Sequence, residues 1–125
     1  KKFVSKIMRQ LQNDEILAVN DKDGTPTYTY DFVRNVMFLL HTEKWGVYNM
    51  VCEGEASRYD VAAEIIRLTE SKASLTAVNS YHFRDEYFVP RPASERLVCT
   101  KLRLRGLYFM RDWKFCLSEY IKSMK

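Results

Sequence analysis

The sequence predicts an α+β domain, a small mixed unit of about five helices and three short strands. Three observations point there. Apolar residues recur at helical spacing in several separate stretches. Short apolar runs of strand length lie between them. Polar segments carrying glycine or proline divide the two kinds. At 125 residues, 46% hydrophobic and 14% aromatic, the chain has the composition of one domain with a core of its own.

The first helix runs from Phe3 to about Gln12, with Phe3, Val4, Ile7, Met8 and Leu11 as its apolar stripe. A helix that starts with nothing ahead of it is expected of a chain cut from something longer. Ile16 to Asn20 reads as a buried strand. Asp21-Lys22-Asp23-Gly24-Thr25-Pro26-Thr27 then reads as a turn. Short polar side chains can fold back on the backbone, Gly24 can take φ > 0, and Pro26 pushes Thr25 toward extended geometry. Phe32–Leu40 is the second helix, with Phe32, Val33, Val36, Met37 and Leu40 on its inner face and Thr29 or Asp31 as N-cap.

Trp45-Gly46 breaks the helical pattern, and Val47–Val51 reads as the second strand. Ser57-Arg58-Tyr59-Asp60 has the spacing of a capping box. It heads a third helix that turns Val61, Ala62, Ile65 and Ile66 inward and ends near Thr69. Leu75–Val78 is the third strand. The stretch from Asn79 to Pro92 is irregular and aromatic, with Tyr81, His82, Phe83, Tyr87 and Phe88. A short helix over Lys101–Leu107 ends near Gly106. The last helix begins near Asp112 and carries Trp113, Cys116, Leu117, Tyr120, Ile121 and Met124 as its stripe.

Composition narrows the function. No apolar run reaches the roughly 18 residues of a membrane span, and Lys1-Lys2, followed by alternating polar and apolar residues, does not read as a signal peptide. Three cysteines without a Cys-x-x-Cys pair predict reduced thiols and a cytoplasmic setting. Two histidines at no ligand spacing give no zinc site. The net charge of +4 suits a phosphate-bearing ligand or nucleic acid. Lys101, Arg103, Arg105, Arg111 and Lys114 crowd the C-terminal quarter, and a solvated helix face accounts for most of them.

Catalytic motifs are absent. The four glycines are isolated, so there is neither a dinucleotide loop nor a P-loop. No tyrosine has a lysine four residues on, and neither Gly-x-Ser-x-Gly nor His-Glu-x-x-His occurs. Asp31 and Asp60 read as helix caps.

Binding candidates remain. Gly24, Thr25 and Thr27 sit at a strand-to-helix corner that either lines a ligand or only shapes the fold. Arg91, held between Pro90 and Pro92, either forks onto phosphate oxygens, or caps a helix C-terminus, or pairs with Glu86 or Glu95. Lys101 opens a helix, where a cation opposes the dipole and a phosphate would compensate.

These stretches together resemble the C-terminal, substrate-binding half of the dTDP-4-dehydrorhamnose reductase family, within the extended short-chain dehydrogenase/reductases. The family's Asp-Gln/Asp-x-Gly-Ser/Ala-Pro-Thr run is matched by Asp21–Thr27, and its Gly-x-Tyr by Gly46-Val47-Tyr48. Gly54-Glu55-Ala56-Ser57-Arg58-Tyr59 is similar to its Gly-x-x-Ser/Thr-Trp/Tyr loop. Arg91-Pro92-Ala93-Ser94-Glu95-Arg96-Leu97 with Lys101 is similar to its Arg-Pro-x-Asn-Ser-x-Leu…Lys, and Asp112-Trp113 to its closing tryptophan. Lys22 replaces the usual Gln, Ser94-Glu95 replaces Asn-Ser, Val98 replaces Asp, and Lys2 replaces an Asn.

The resemblance implies the substrate-binding lobe of such an enzyme over residues 1–125, with the N-terminal dinucleotide-binding domain outside this chain. That domain would hold NADPH or NADH and the Tyr-x-x-x-Lys pair, so the chain alone would be inactive and bind no cofactor. Hydride would pass to the C4 ketone of a nucleotide-linked deoxysugar such as dTDP-4-dehydro-6-deoxy-L-mannose, in dTDP-L-rhamnose and polysaccharide synthesis. Arg91 would contact the diphosphate, with Lys22, Gly24, Thr25, Thr27 and Lys101 as further substrate-binding residues. The expected partners are the nucleotide sugar and the N-terminal domain, with no nucleic acid and no membrane, and a homodimer is left open. A regulatory or scaffold relative of the same fold is the alternative. A basic nucleic-acid module rests on charge alone.

Overall fold

The computed structural model describes residues 3–86, 89 and 92–124. In chain order the elements are α1 (Phe3–Gln10), β1 (Glu15–Val19), β2 (Asp23–Gly24), α2 (Thr29–Leu40), β3 (Ala56–Ser57), α3 (Arg58–Thr69), β4 (Ser74–Val78), a 3-10 segment (Ser80–Glu86), α4 (Thr100–Leu104) and α5 (Trp113–Lys122). The chain forms two compact units, residues 1–24 with 56–95 and residues 25–55 with 96–125.

In the first unit β1 and β4 pair in parallel, from Glu15 beside Ser74 to Val19 beside Val78. Ile16, Ala18 and Val19 are buried on β1. Helix α3 packs on both strands and on α1, and Val61, Ala62 and Ile65 are its buried apolar residues. Its start is the predicted capping box. Ser57 Oγ accepts from the Asp60 N–H at 3.1 Å, and Asp60 Oδ2 accepts from the Ser57 N–H at 2.8 Å. Of the predicted α1 stripe only Ile7 is fully buried.

The second unit buries Met50, Cys52, Cys99, Leu102, Leu107, Met110, Trp113, Cys116, Leu117 and Ile121. Asp112 caps α5, its side chain accepting from the Lys114 and Phe115 N–H groups. Helix α2 differs from expectation. Its fully buried residues are Asp31 and Asn35, whereas Phe32, Val33, Met37 and Leu40 are exposed. The polar pair one turn apart faces inward because each member has partners there. Asn35 donates to the Leu107 carbonyl at 3.1 Å and accepts from the Phe109 N–H at 2.9 Å. Neither Thr29 nor Asp31 caps α2, whose N-cap is Tyr28 with no side-chain bond.

The predicted strand Val47–Val51 is not one. Side chains take the backbone groups a neighbouring strand would need. The Val51 N–H goes to Cys99 Sγ at 3.2 Å, its carbonyl accepts the Tyr108 hydroxyl at 3.2 Å, and the Val47 carbonyl accepts the Lys101 ammonium at 3.1 Å.

Candidate functional site

The expected turn at Asp21–Thr27 is an extended ribbon instead. Asp23 and Gly24 form β2, which pairs antiparallel with β3, and Asp23 also bridges in parallel to Ser94. The Asp23 N–H donates to the Ala93 carbonyl at 3.0 Å, and its carbonyl accepts from the Glu95 N–H at 2.8 Å. Both main-chain groups of Asp23 are used this way, which holds it extended, and Gly24 does not take a positive φ. A Cβ on Gly24 would meet nothing within 4 Å, so the glycine leaves open space beside the ribbon. Lys22 is half-buried. Burial pushes the Asp21 carboxyl up, but the Ser80 N–H at 2.8 Å, the Ser80 hydroxyl at 2.9 Å and the Lys22 charge outweigh it and hold the group below its ordinary range.

In the second unit the two threonines act as fasteners. Thr25 Oγ1 accepts from the Leu97 N–H at 3.0 Å. Thr27 donates to the Thr25 carbonyl at 3.0 Å across Pro26, and its hydroxyl accepts from the Cys52 N–H at 3.4 Å. Lys101 lies with its ammonium 4.5 Å from the Tyr48 ring centre while donating to Val47. A Cβ on Gly46 would stand 2.7 Å from that ammonium nitrogen. Trp113 is seated on Gly54 in the same way, since a Cβ there would come within 2.7 Å of its Cδ1. Beside it, Glu53 bridges in parallel to Asp112.

Among the described residues the strongest electrostatic feature joins Asp31, which the sequence predicts as a helix cap, to Arg111, which it predicts on a solvated face. Asp31, fully buried, accepts from Arg111 Nε at 2.9 Å and 3.1 Å and from the Arg111 N–H at 3.2 Å. Arg111 also donates to Glu119 at 2.8 Å. The Arg111 hydrogen bonds, acting against desolvation, hold the Asp31 carboxyl below the usual range, and the Arg111 guanidinium is raised by the two carboxylates. The available signal was the spacing of Asp31 and Asn35, two polar residues one turn apart within an apolar helix. Arg91 lies outside the described residues, as do Tyr87 and Phe88.

The RmlD substrate binding domain family matches residues 1–125 of this sequence. The chain belongs to that family. A dTDP-4-dehydrorhamnose reductase ortholog from Clostridium acetobutylicum superposes with a TM-score of 0.93 at 32% identity, over 99% of this chain and 44% of that one. The Bacillus anthracis reductase, solved in complex with NADP, gives 0.89 at 27% identity, over 100% of this chain and 44% of that one. A probable dTDP-4,6-dihydroxy-2-methyloxan-3-one 4-ketoreductase of Streptomyces antibioticus is 30% identical over 90% of this chain and 38% of its own length. The chain thus spans less than half the length of these relatives.

Within this RmlD domain, the stretches that resembled the family pattern are hydrogen-bonded or packed to each other. In the first unit the Asp21–Gly24 ribbon is bonded to the segment at Ala93–Glu95. In the second, Thr25 holds Leu97, Gly46 makes room for Lys101, and Gly54 for Trp113. The spacing of the motifs therefore has a structural cause in this chain.

Proposed function

We propose that this domain binds the substrate of an NAD(P)H-dependent reductase acting on the C4 ketone of a nucleotide-linked deoxysugar, in the manner of dTDP-L-rhamnose synthesis. The observation that carries the reading is the family match over residues 1–125, joined to solved reductases at TM-scores of 0.89 and 0.93. The names of the relatives supply the substrate class, a dTDP-linked keto sugar.

The residues present do not fit a dinucleotide. β1 runs out at Val19 into Asn20 and Asp21, and no glycine-rich loop or helix start follows it. We therefore assign NADPH or NADH, and the Tyr-x-x-x-Lys pair, to a dinucleotide-binding domain upstream, and expect this chain alone to be inactive. What this domain supplies is position: it fixes the nucleoside diphosphate so that the ketone meets the hydride donor in one orientation.

Arg91 is the proposed diphosphate contact, since a guanidinium can bind two phosphate oxygens at once. It stands in sequence two residues before Ala93, whose carbonyl is bonded to Asp23. Lys22, Gly24, Thr25, Thr27 and Lys101 are proposed as further substrate contacts. The Lys101 ammonium, having given one hydrogen bond to Val47, has donors left for an anion. The protein is proposed to act in the cytoplasm; no helix among the described residues is long and apolar enough to cross a membrane.

The test is turnover by the full-length protein. It should oxidise NADPH or NADH only when a dTDP-4-keto-6-deoxyhexose is present. Cofactor oxidation that is indifferent to the sugar nucleotide would overturn the reading.

A further inference from the structure

Cys52 and Cys116 are both 2% exposed and lie in the second unit with their sulfurs 3.8 Å apart. Cys116 Sγ also approaches Asp31 Oδ2 at 3.4 Å, and the Tyr28 N–H points at Cys52 Sγ from 3.5 Å. Asp31, Cys52 and Cys116 thus have the proximity of a three-ligand cation site. The carboxylate, however, is already committed. Arg111 reaches both of its oxygens through Nε, and Oδ2 takes the Arg111 N–H as well. Two sulfurs remain, fewer than the four ligands of a structural zinc site. The chemistry open to the pair is with each other.

We propose that Cys52 and Cys116 are a site of reversible covalent modification, in which a small-molecule disulfide oxidises them to an intrachain disulfide. The two thiols lose two protons and two electrons. The oxidant's S–S bond takes them up and leaves as two thiols, while the Cys52–Cys116 bond forms by way of a mixed disulfide. The sulfurs are in van der Waals contact, so closure needs side-chain rotation and a shift on the order of 1 Å from each, toward the normal bond length near 2 Å. Asp31 gives up one weak donor and keeps Arg111. The bond would close the chain between residues 52 and 116, a long loop, and so tie the segment ahead of Gly54 to α5. Burial raises both thiols above their ordinary range, which keeps the pair protonated and reduced until the unit opens.

Cys99 is the internal control. It is also buried, and its sulfur is engaged with the Val51 main chain instead. The chain, at low concentration, is incubated with oxidised glutathione, unfolded in acid, and its free thiols counted. The three free thiols should fall to one, with loss of two hydrogens in mass and no dimer. Peptide mapping should recover residues 52 and 116 joined. Cys99→Ala, which leaves both sulfurs in place, should fall from two thiols to none, and the oxidised form should melt higher than the reduced one. Three thiols surviving prolonged oxidation, or a bridge that includes Cys99, would overturn the proposal.

Discussion

Asp23 and Ser94 stand beside each other in a parallel β-bridge, 71 residues apart in the chain. The N–H and carbonyl of Asp23 are both spent on the residues that flank Ser94. A glycine-containing stretch near the start of the chain is thereby joined to the Ala93–Glu95 segment near its end. Each keeps the other in extended register.

Gly24 tests whether that ribbon faces substrate. It has no positive φ, and a Cβ would meet nothing within 4 Å. Gly24→Ala should therefore leave the unfolding free energy within about 0.5 kcal/mol of wild type, the range of uncrowded surface changes. If substrate lies in that space, KM in the full-length enzyme should rise. Unchanged stability with unchanged KM would remove Gly24 from the site.

Gly54 should behave in the opposite way. Its φ is +88°, and a new Cβ would press within 2.7 Å of Trp113. Gly54→Ala should cost about 1–3 kcal/mol from left-handed strain and overpacking together. Gly106→Ala, at φ +64° with nothing nearby, should cost only about 1 kcal/mol. Chemical denaturation of the two variants separates the contributions, and equal losses would contradict the packing described for Trp113.

Arg111 is expected to matter more than any exposed cation of the C-terminal quarter. Arg111→Met leaves the fully buried Asp31 carboxylate without its main partner, at a cost of about 3–5 kcal/mol. The double variant with Asp31→Asn should recover part of that loss, because the uncompensated charge is gone. A loss near zero for Arg111→Met would show that water reaches Asp31.

The same pair sets the acid limb of stability. Arg111 holds the Asp31 carboxyl below its unfolded value. The unfolded chain therefore binds this proton first as pH falls. The contribution is fully present above about pH 5 and is lost as pH drops through the unfolded and then the folded value. Urea midpoints measured between neutral and acid pH should fall, and Asp31→Asn should flatten that fall. An unchanged slope in Asp31→Asn would assign the acid limb to other carboxylates.

Much of the fold was legible because local chemistry decided it. The capping box at Ser57 and Asp60 and the Asp112 cap rest on neighbours within a few residues, and β1 and β4 showed as short apolar runs although they pair with each other at long range. The failures share one cause, a partner distant in sequence. Val47–Val51 has strand composition, but Cys99, Lys101 and Tyr108 occupy its main chain. Gly24 sits in turn chemistry, yet Ala93 and Glu95 draw its neighbour straight. Asp31 looked like a cap because Arg111 is 80 residues away. The candidate site was legible only as motifs in register, since Thr25 and Lys101 carry no chemistry that distinguishes them locally.

The most direct measurement concerns Arg91. In the full-length enzyme, Arg91→Ala should lower kcat/KM for the dTDP-linked keto sugar by the equivalent of about 1–3 kcal/mol, the worth of a charge-assisted hydrogen bond. Its effect should fall on KM for the sugar nucleotide, with the dependence on NADPH or NADH unaltered. A variant with wild-type KM and kcat/KM would contradict the assignment of this domain's arginine to the nucleotide sugar.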